Sequence, residues 1–316
     1  MTQSAPPGAP AEHTPAPRQP SPPYPRIRPG LWKRALWGGL TLWALTAIVT
    51  YATKNTTLLP TVILLGSFLT PVTFVLWAYE QHGRDLGVNV ILGCFLTGGT
   101  LGVLGASMME YYLLHPSLWM FVGVGLIEEA AKLAALMFVL RRRPRLRGLR
   151  TGLVLGATVG FGFAALESAG YAFNAAVSME GIDLRALLQT EFLRGVLTPF
   201  GHGLWTAIAG AALLSRRRPN GRFPCTSGVI GTYLGVSLLH TVWNSTHGIA
   251  IWLAALMTGA QLDHSFFAQG HIPAPTAEQR QFYVFFSMGE LVAVSLLGLA
   301  WARSLTRREP SWTDTP

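Results

Sequence analysis

Charge is what this chain has least of. Asp, Glu, Lys and Arg make up 12% of its 316 residues, against roughly 25% in soluble domains. Long apolar runs take the place of the missing charge, and half of the residues are hydrophobic. That composition excludes an ordinary soluble globule and marks a membrane protein. Cysteine is nearly absent too. Of the two, Cys94 lies within an apolar run and Cys225 follows a basic stretch, so a disulfide framework is excluded. Acidic residues are outnumbered, leaving a net charge of +9. The excess Lys and Arg sit in short groups at the ends of apolar segments, as in cytoplasmic loops under the positive-inside rule, so no nucleic-acid partner is expected. The first 30 residues are rich in Pro, Ala, Ser and Gln. They hold too little apolar surface to fold and read as a disordered cytoplasmic tail. A secretory signal has its apolar core near the start, so the first apolar run here reads as a retained signal anchor.

The remainder is a succession of apolar runs at 36–53, 58–79, 88–107, 117–140, 151–174, 195–214, 226–248 and 282–303. Each is long enough to cross about 30 Å of hydrocarbon as a helix. The expected fold is therefore all-α: a polytopic helical bundle of about eight transmembrane helices. A further apolar stretch at 249–258 is too short to span and either extends the seventh helix or lies in the interface. Basic groups precede the first run (Arg26, Arg28, Lys33, Arg34), separate the fourth from the fifth (Arg141 to Arg150) and the sixth from the seventh (Arg216 to Arg222), and follow the eighth (Arg303, Arg307, Arg308). An even number of spans puts them all on one side, with both termini cytoplasmic. The outer loops 175–194 and 259–281 are poorer in Lys and Arg. No internal repeat of the kind that builds inverted-repeat transporters is evident.

Against this apolar background a few polar residues stand out. The fourth run carries Glu128, Glu129 and Lys132, and an ionised side chain at mid-membrane costs about 2.5–3.5 kcal/mol on insertion scales. Glu128 and Lys132 are four apart on one face and can pair; that explains one glutamate and leaves Glu129, about 100° around the helix, for another partner. The fifth run carries Phe163, Glu167 and Tyr171 at four-residue intervals, after glycines 152, 156, 160 and 162 that permit close helix contact. The sixth run carries His202. The seventh carries His240 and Asn244 on one face, a spacing that suits a metal ligand or general base beside an oxyanion donor. Singly, each has a structural explanation as a packing ion pair or a buried hydrogen-bonder. Counted from the outer ends of their runs, Glu128 lies about 16 Å deep, and Glu167, His202 and His240 about 10–12 Å deep. Independent structural residues have no reason to agree in depth. Glu290, on the eighth run, reads as a more distant acid that pairs with Lys132 or with another helix.

Glu128-Glu129-x-x-Lys132, Phe163-x-x-x-Glu167, His202 and His240-x-x-x-Asn244 together resemble the PrsW family of intramembrane proteases, relatives of the CAAX prenyl endopeptidases. The motifs span 117–250. Where the CAAX enzymes have His in the helix-five motif this chain has Glu167, and Lys132 follows two spacers where they have Arg after three. Both departures favour the PrsW branch over prenyl-protein substrates. The resemblance implies a metalloprotease with glutamates and histidines at its centre, acting on a membrane-anchored protein such as an anti-sigma factor. In that reading Glu128 or Glu129 activates water, and Lys132 keeps one glutamate ionised. Glu167, His202 and His240 bind a divalent metal such as zinc or polarise the scissile carbonyl without one. Asn244 orients or donates to the oxyanion, with Phe163 and Tyr171 in support. No HExxH, GxGD or GxSG run is present, which excludes zincin-like, paired-aspartate and rhomboid-like sites.

The organisation expected is a tail over 1–30, a multi-pass cell-membrane protease domain over 31–305 and a short cytoplasmic tail over 306–316. Its partners are the bilayer and a membrane-anchored substrate. The competing readings are a proton-coupled transporter, since buried Glu and His also form proton relays, and a non-catalytic membrane scaffold.

Overall fold

The computed structural model describes residues 30–117, 119–178, 181–260 and 274–307. The Pro-rich tail, and the C-terminal tail from 308 on, lie outside them. Among the described residues the protein is a bundle of ten α-helices: α1 (Leu31–Thr53), α2 (Leu59–Ala78), α3 (Val88–Thr97), α4 (Val103–Leu113), α5 (Met120–Leu140), α6 (Leu149–Ala176), α7 (Leu184–Leu197), α8 (His202–Ser215), α9 (Ser227–Met257) and α10 (Ala277–Thr306). The only strands among these residues are the two-residue β1 (Val177–Ser178) and β2 (Gly181–Ile182), which turn the chain back from α6.

Six helical stretches are long and apolar enough to cross a membrane: 31–53, 56–83, 88–113, 149–176, 184–215 and 277–306. The third is α3 and α4 joined by a widened turn at Gly98–Gly102. There α6 comes so close that a Cβ on Gly98 would lie 2.3 Å from the Val159 carbonyl oxygen. Two further long helices, α5 and α9, are not among the six because of the polar residues within them. They carry Glu128, Glu129 and Lys132, and His240, Asn244 and His247, so the polar residues that make a site also weaken the membrane signature. The apolar stretch at 249–258 continues α9 as far as Met257.

The stretch after α6 departs from the expected loop at 175–194. Its residues 184–197 form α7, started by the Asp183 side chain, which accepts from the Ala186 amide. The expected single helix over 195–214 is in fact two. Thr198–Phe200 form one 3₁₀ turn and Gly201 adopts a non-helical conformation before α8 begins at His202. Pro199 has no amide hydrogen to donate, which explains an interruption here. Together α7 and α8 run back along α6. Arg194 meets Glu167 and Ser168, and further along the backbone of α8 presses on a glycine row. A Cβ on Gly160, Gly156 or Gly152 would lie 2.2–2.4 Å from the carbonyls of His202, Thr206 and Gly210.

The basic ends collect at one end of the bundle. Arg217 donates to the carbonyls of Leu140, Arg143 and Leu146, tying the 216–222 loop to the 141–148 loop. Glu80, at the end of α2, accepts from the amides of Gly30 and Trp32 and so holds the start of α1 there. Gly83 faces Val154, and Gly235 faces Trp301 near the end of α10.

Candidate metal centre

The site forms where α5, α6, α8 and α9 meet. Gly125 lets α9 pass close to α5: a Cβ there would lie 2.6 Å from the Ser237 carbonyl. Tyr233 locks the crossing by donating to the Leu126 carbonyl at 2.8 Å. One turn further along α5, Glu128 and Glu129 then stand beside His240. The glycine row of α6 brings His202, the first residue of α8, over Phe163 and Glu167.

Lys132 is the hub and is fully buried. Its Nζ donates to Glu128 Oε2 at 3.1 Å, Glu129 Oε1 at 2.8 Å and His202 Nδ1 at 2.8 Å, and lies 4.1 Å from the centre of the Phe163 ring. Three acceptors and an aromatic face meet the requirement that a buried charge be paired and hydrogen-bonded. Glu129, also fully buried, further accepts from His240 Nδ1 at 3.1 Å and from Thr206 at 3.5 Å. Lys132 therefore serves both glutamates.

These partners determine which imidazole nitrogens carry protons. An ammonium only donates, so His202 Nδ1 holds a lone pair and its proton is on Nε2. That proton is donated to Glu167 Oε2 at 3.0 Å. An ionised carboxylate only accepts, so His240 Nδ1 carries the proton given to Glu129. The lone pair of His240 Nε2 is left buried with no hydrogen-bond partner. It faces Glu128 Oε2 at 3.7 Å, and His202 Nδ1 lies 3.8 Å from the same oxygen.

Two lone pairs and a carboxylate oxygen thus converge with nothing electropositive but Lys132 among them. Ligand atoms of these three residues all lie within 4.8 Å of one another. Tetrahedral ligands about 2.1 Å from zinc are about 3.4 Å apart, so Glu128 Oε2, at 3.7 and 3.8 Å from the two nitrogens, lies close to the separation that a divalent cation needs. Each imidazole is backed by a second carboxylate, the usual support for a metal-bound histidine. Lys132 and such a cation draw on the same Glu128 and His202 atoms.

The sequence reading grouped Glu167 with the two histidines as ligands. The carboxylate whose oxygen closes on both imidazole lone pairs is Glu128. Glu167 lies behind His202, gripped by Arg194, whose Nη2 donates to it at 2.6 Å while its Nε donates to Ser168 at 2.8 Å. Arg194 also lies 4.3 Å from the Tyr171 ring centre, which explains the presence of that half-exposed tyrosine. Arg194 lies at the edge of the loop expected over 175–194, and an arginine at the end of an apolar run, apart from the basic clusters, is the sequence signal for it. Trp205 is a further residue of the site that the expectations above do not include. It is fully buried, and its ring lies 4.9 Å from that of His240.

A small cleft of about 70 Å³ opens onto this cluster, lined by Glu167, Tyr171, Arg194, Thr198, Gly201, His202, Trp243 and Asn244. The interrupted backbone between α7 and α8 forms one wall. Non-helical backbone at membrane depth is tolerated where it lines such a cavity. Asn244, one turn beyond His240, reaches the cleft. His247 turns away and bonds Tyr283 at 2.9 Å. Glu290 does not reach Lys132, and both of its carboxyl oxygens are buried without a partner.

A protein-family model, described as PrsW family intramembrane metalloprotease, matches residues 86–268, more than half of the chain. No curated protein and no solved structure matches.

Proposed function

Because the chain belongs to the PrsW family of intramembrane metalloproteases, and is a membrane peptidase on that ground, we propose that it hydrolyses a peptide bond of a membrane-anchored protein at the Glu128–His202–His240 centre. The observation that carries this reading is the buried, partnerless lone pair of His240 Nε2 directed at Glu128. Glu128, His202 and His240 would hold a divalent metal, zinc being the natural occupant of such a donor set. When bound, it supplies a water whose pKa is lowered to about 7 and polarises the scissile carbonyl.

The residues around it have separate tasks. Glu129 and Glu167 keep His240 and His202 in the tautomers that present lone pairs. Glu129 is sealed in, whereas Glu167 faces the cleft. We assign to Glu167 the role of receiving the proton of the attacking water and delivering it to the leaving amine. Arg194 holds Glu167 in position. The Asn244 amide donates to the carbonyl oxygen as it becomes an oxyanion. Lys132 balances the buried glutamates. Phe163 floors the site, and Tyr171 buttresses Arg194.

The same proposal covers the wider organisation: a tail over 1–30, a membrane domain over 31–305 with eight spans, a tail over 306–316, both termini in the cytoplasm, and residence in the cell membrane. The gathering of the basic loops at one end of the bundle supports the even count. Substrates are single-pass proteins cut near their outer boundary, with an anti-sigma factor as the member suggested by family resemblance. Kinship with CAAX enzymes rests on the motif pattern alone.

The test compares N-terminal peptides of single-pass membrane proteins in cells expressing wild type or His240→Ala at matched, membrane-inserted levels. New N-termini near transmembrane boundaries in the wild type alone are expected. Identical termini in both would favour the scaffold or transporter readings.

A further inference from the structure

Glu110 takes no part in the scheme above. It lies on α4, four residues beyond Ala106 and eight beyond Gly102, all on one helix face. Ala106 packs with Ile127 and Phe163, and a Cβ on Gly102 would touch the Phe163 ring at 3.1 Å. Glu110 therefore stands one turn outward on the face that α4 turns towards the metal centre. Its carboxyl lies within electrostatic reach of Glu128, Glu167, His240 and Lys132.

One of its oxygens, Oε1, is buried and without a hydrogen-bond partner. Leaving a buried acceptor unsatisfied is costly, and more so for a charged group. The nearby cations are already engaged: Lys132 by Glu128, Glu129 and His202, and Arg194 by Glu167 and Ser168. Among the described residues none forms an ion pair with Glu110. Among the described residues the basic side chains near Glu110 are thus already paired, and a basic side chain of a bound substrate would give it a partner.

Position narrows the source. Glu110 is three residues from the outer end of α4, roughly 4–5 Å at the helical rise, and Glu128 is eight residues into α5, roughly 12 Å. The offset of about 7 Å equals about two residues of extended chain at 3.3 Å each. A substrate strand with its scissile carbonyl at the metal centre would pass Glu110 two residues further out.

We propose that Glu110 is a specificity-determining residue that pairs with a Lys or Arg side chain of the substrate about two residues outward of the cut bond. This rests on the peptidase reading above. It also makes selectivity economical, because outer flanks of membrane proteins are poor in Lys and Arg, so a basic residue there marks few candidates.

The test uses the full-length protein in cells and single-pass reporters built on cleavage sites that the wild type makes and His240→Ala does not. Each reporter carries Lys, Ala or Asp two residues outward of the cut. Wild type should cut the Lys reporter at least about tenfold faster than the Ala or Asp reporters, the scale expected for a desolvated charge pair. Glu110→Gln should abolish that preference, cutting the Lys and Ala reporters at equal rates, and Glu110→Lys should prefer Asp. A merely structural role would not swap the preference. Equal cutting of the three reporters by wild type, or loss of all cutting in Glu110→Gln whatever the reporter, overturns the proposal. Absence of any His240-dependent cleavage would instead overturn the peptidase reading beneath it.

Discussion

Each histidine of the centre has its tautomer set by an opposite neighbour. Lys132 forces the proton of His202 to the far nitrogen, and Glu129 draws that of His240 to the near one. Both lone pairs therefore point inward. If the centre binds zinc, Glu129 and Glu167 act by orientation, and loss of such a carboxylate typically weakens metal binding 10–100-fold. Glu129→Gln and Glu167→Gln should each weaken zinc binding by about that range in a chelator competition on purified protein. His240→Ala, which removes a donor, should lose binding altogether. Unchanged affinity in both glutamine variants would show that the two carboxylates do not support the ligands. The four-residue spacings made Glu128, Lys132, His240 and Asn244 legible in the sequence. That the oxygen closing on both imidazole lone pairs is that of Glu128, with Glu167 held behind His202, was not, because it depends on Arg194 reaching Glu167 from 27 residues away.

At the level of elements, the apolar runs anticipated most of the helices, and the strongest runs matched best. The region between α6 and α9 was read poorly, for two physical reasons. The sequence of α7, LRALLQTEFLRGVL, has three charged residues besides polar Gln and Thr, so it resembles a loop by hydropathy. It is helical because Asp183 caps it and Arg194 and the buried Glu191 find partners across the bundle. The break before α8 was hidden by the opposite effect: apolar residues continue through it. Pro199 and Gly201 are the local signs of it in the sequence. That break matters, because it turns a plain span into the wall of a cleft and makes His202 the first residue of a helix. The glycines of α6 were informative from the sequence because only a missing side chain allows the carbonyls of α8 so near.

Across the whole molecule, contacts between distant segments bring residues 30, 80, 141–148, 216–222 and 301 to the same end. One native residue reports on which side that end lies. Cys225 is exposed beside the basic loop, whereas Cys94 is buried. A membrane-impermeant maleimide should leave Cys225 unlabelled in intact cells and label it after permeabilisation; labelling in intact cells would invert the topology and move the cleavage site to the inner boundary. On the proposed function, peptide hydrolysis depends on a metal held by Glu128, His202 and His240. The most direct measurement is cleavage by purified protein, on a substrate identified in cells, as bound zinc is stripped and restored. Activity should vanish with the metal, return in proportion to zinc up to about one per chain, and stay absent in His240→Ala at any zinc level. Full activity in the stripped protein, or in His240→Ala, would contradict the claim.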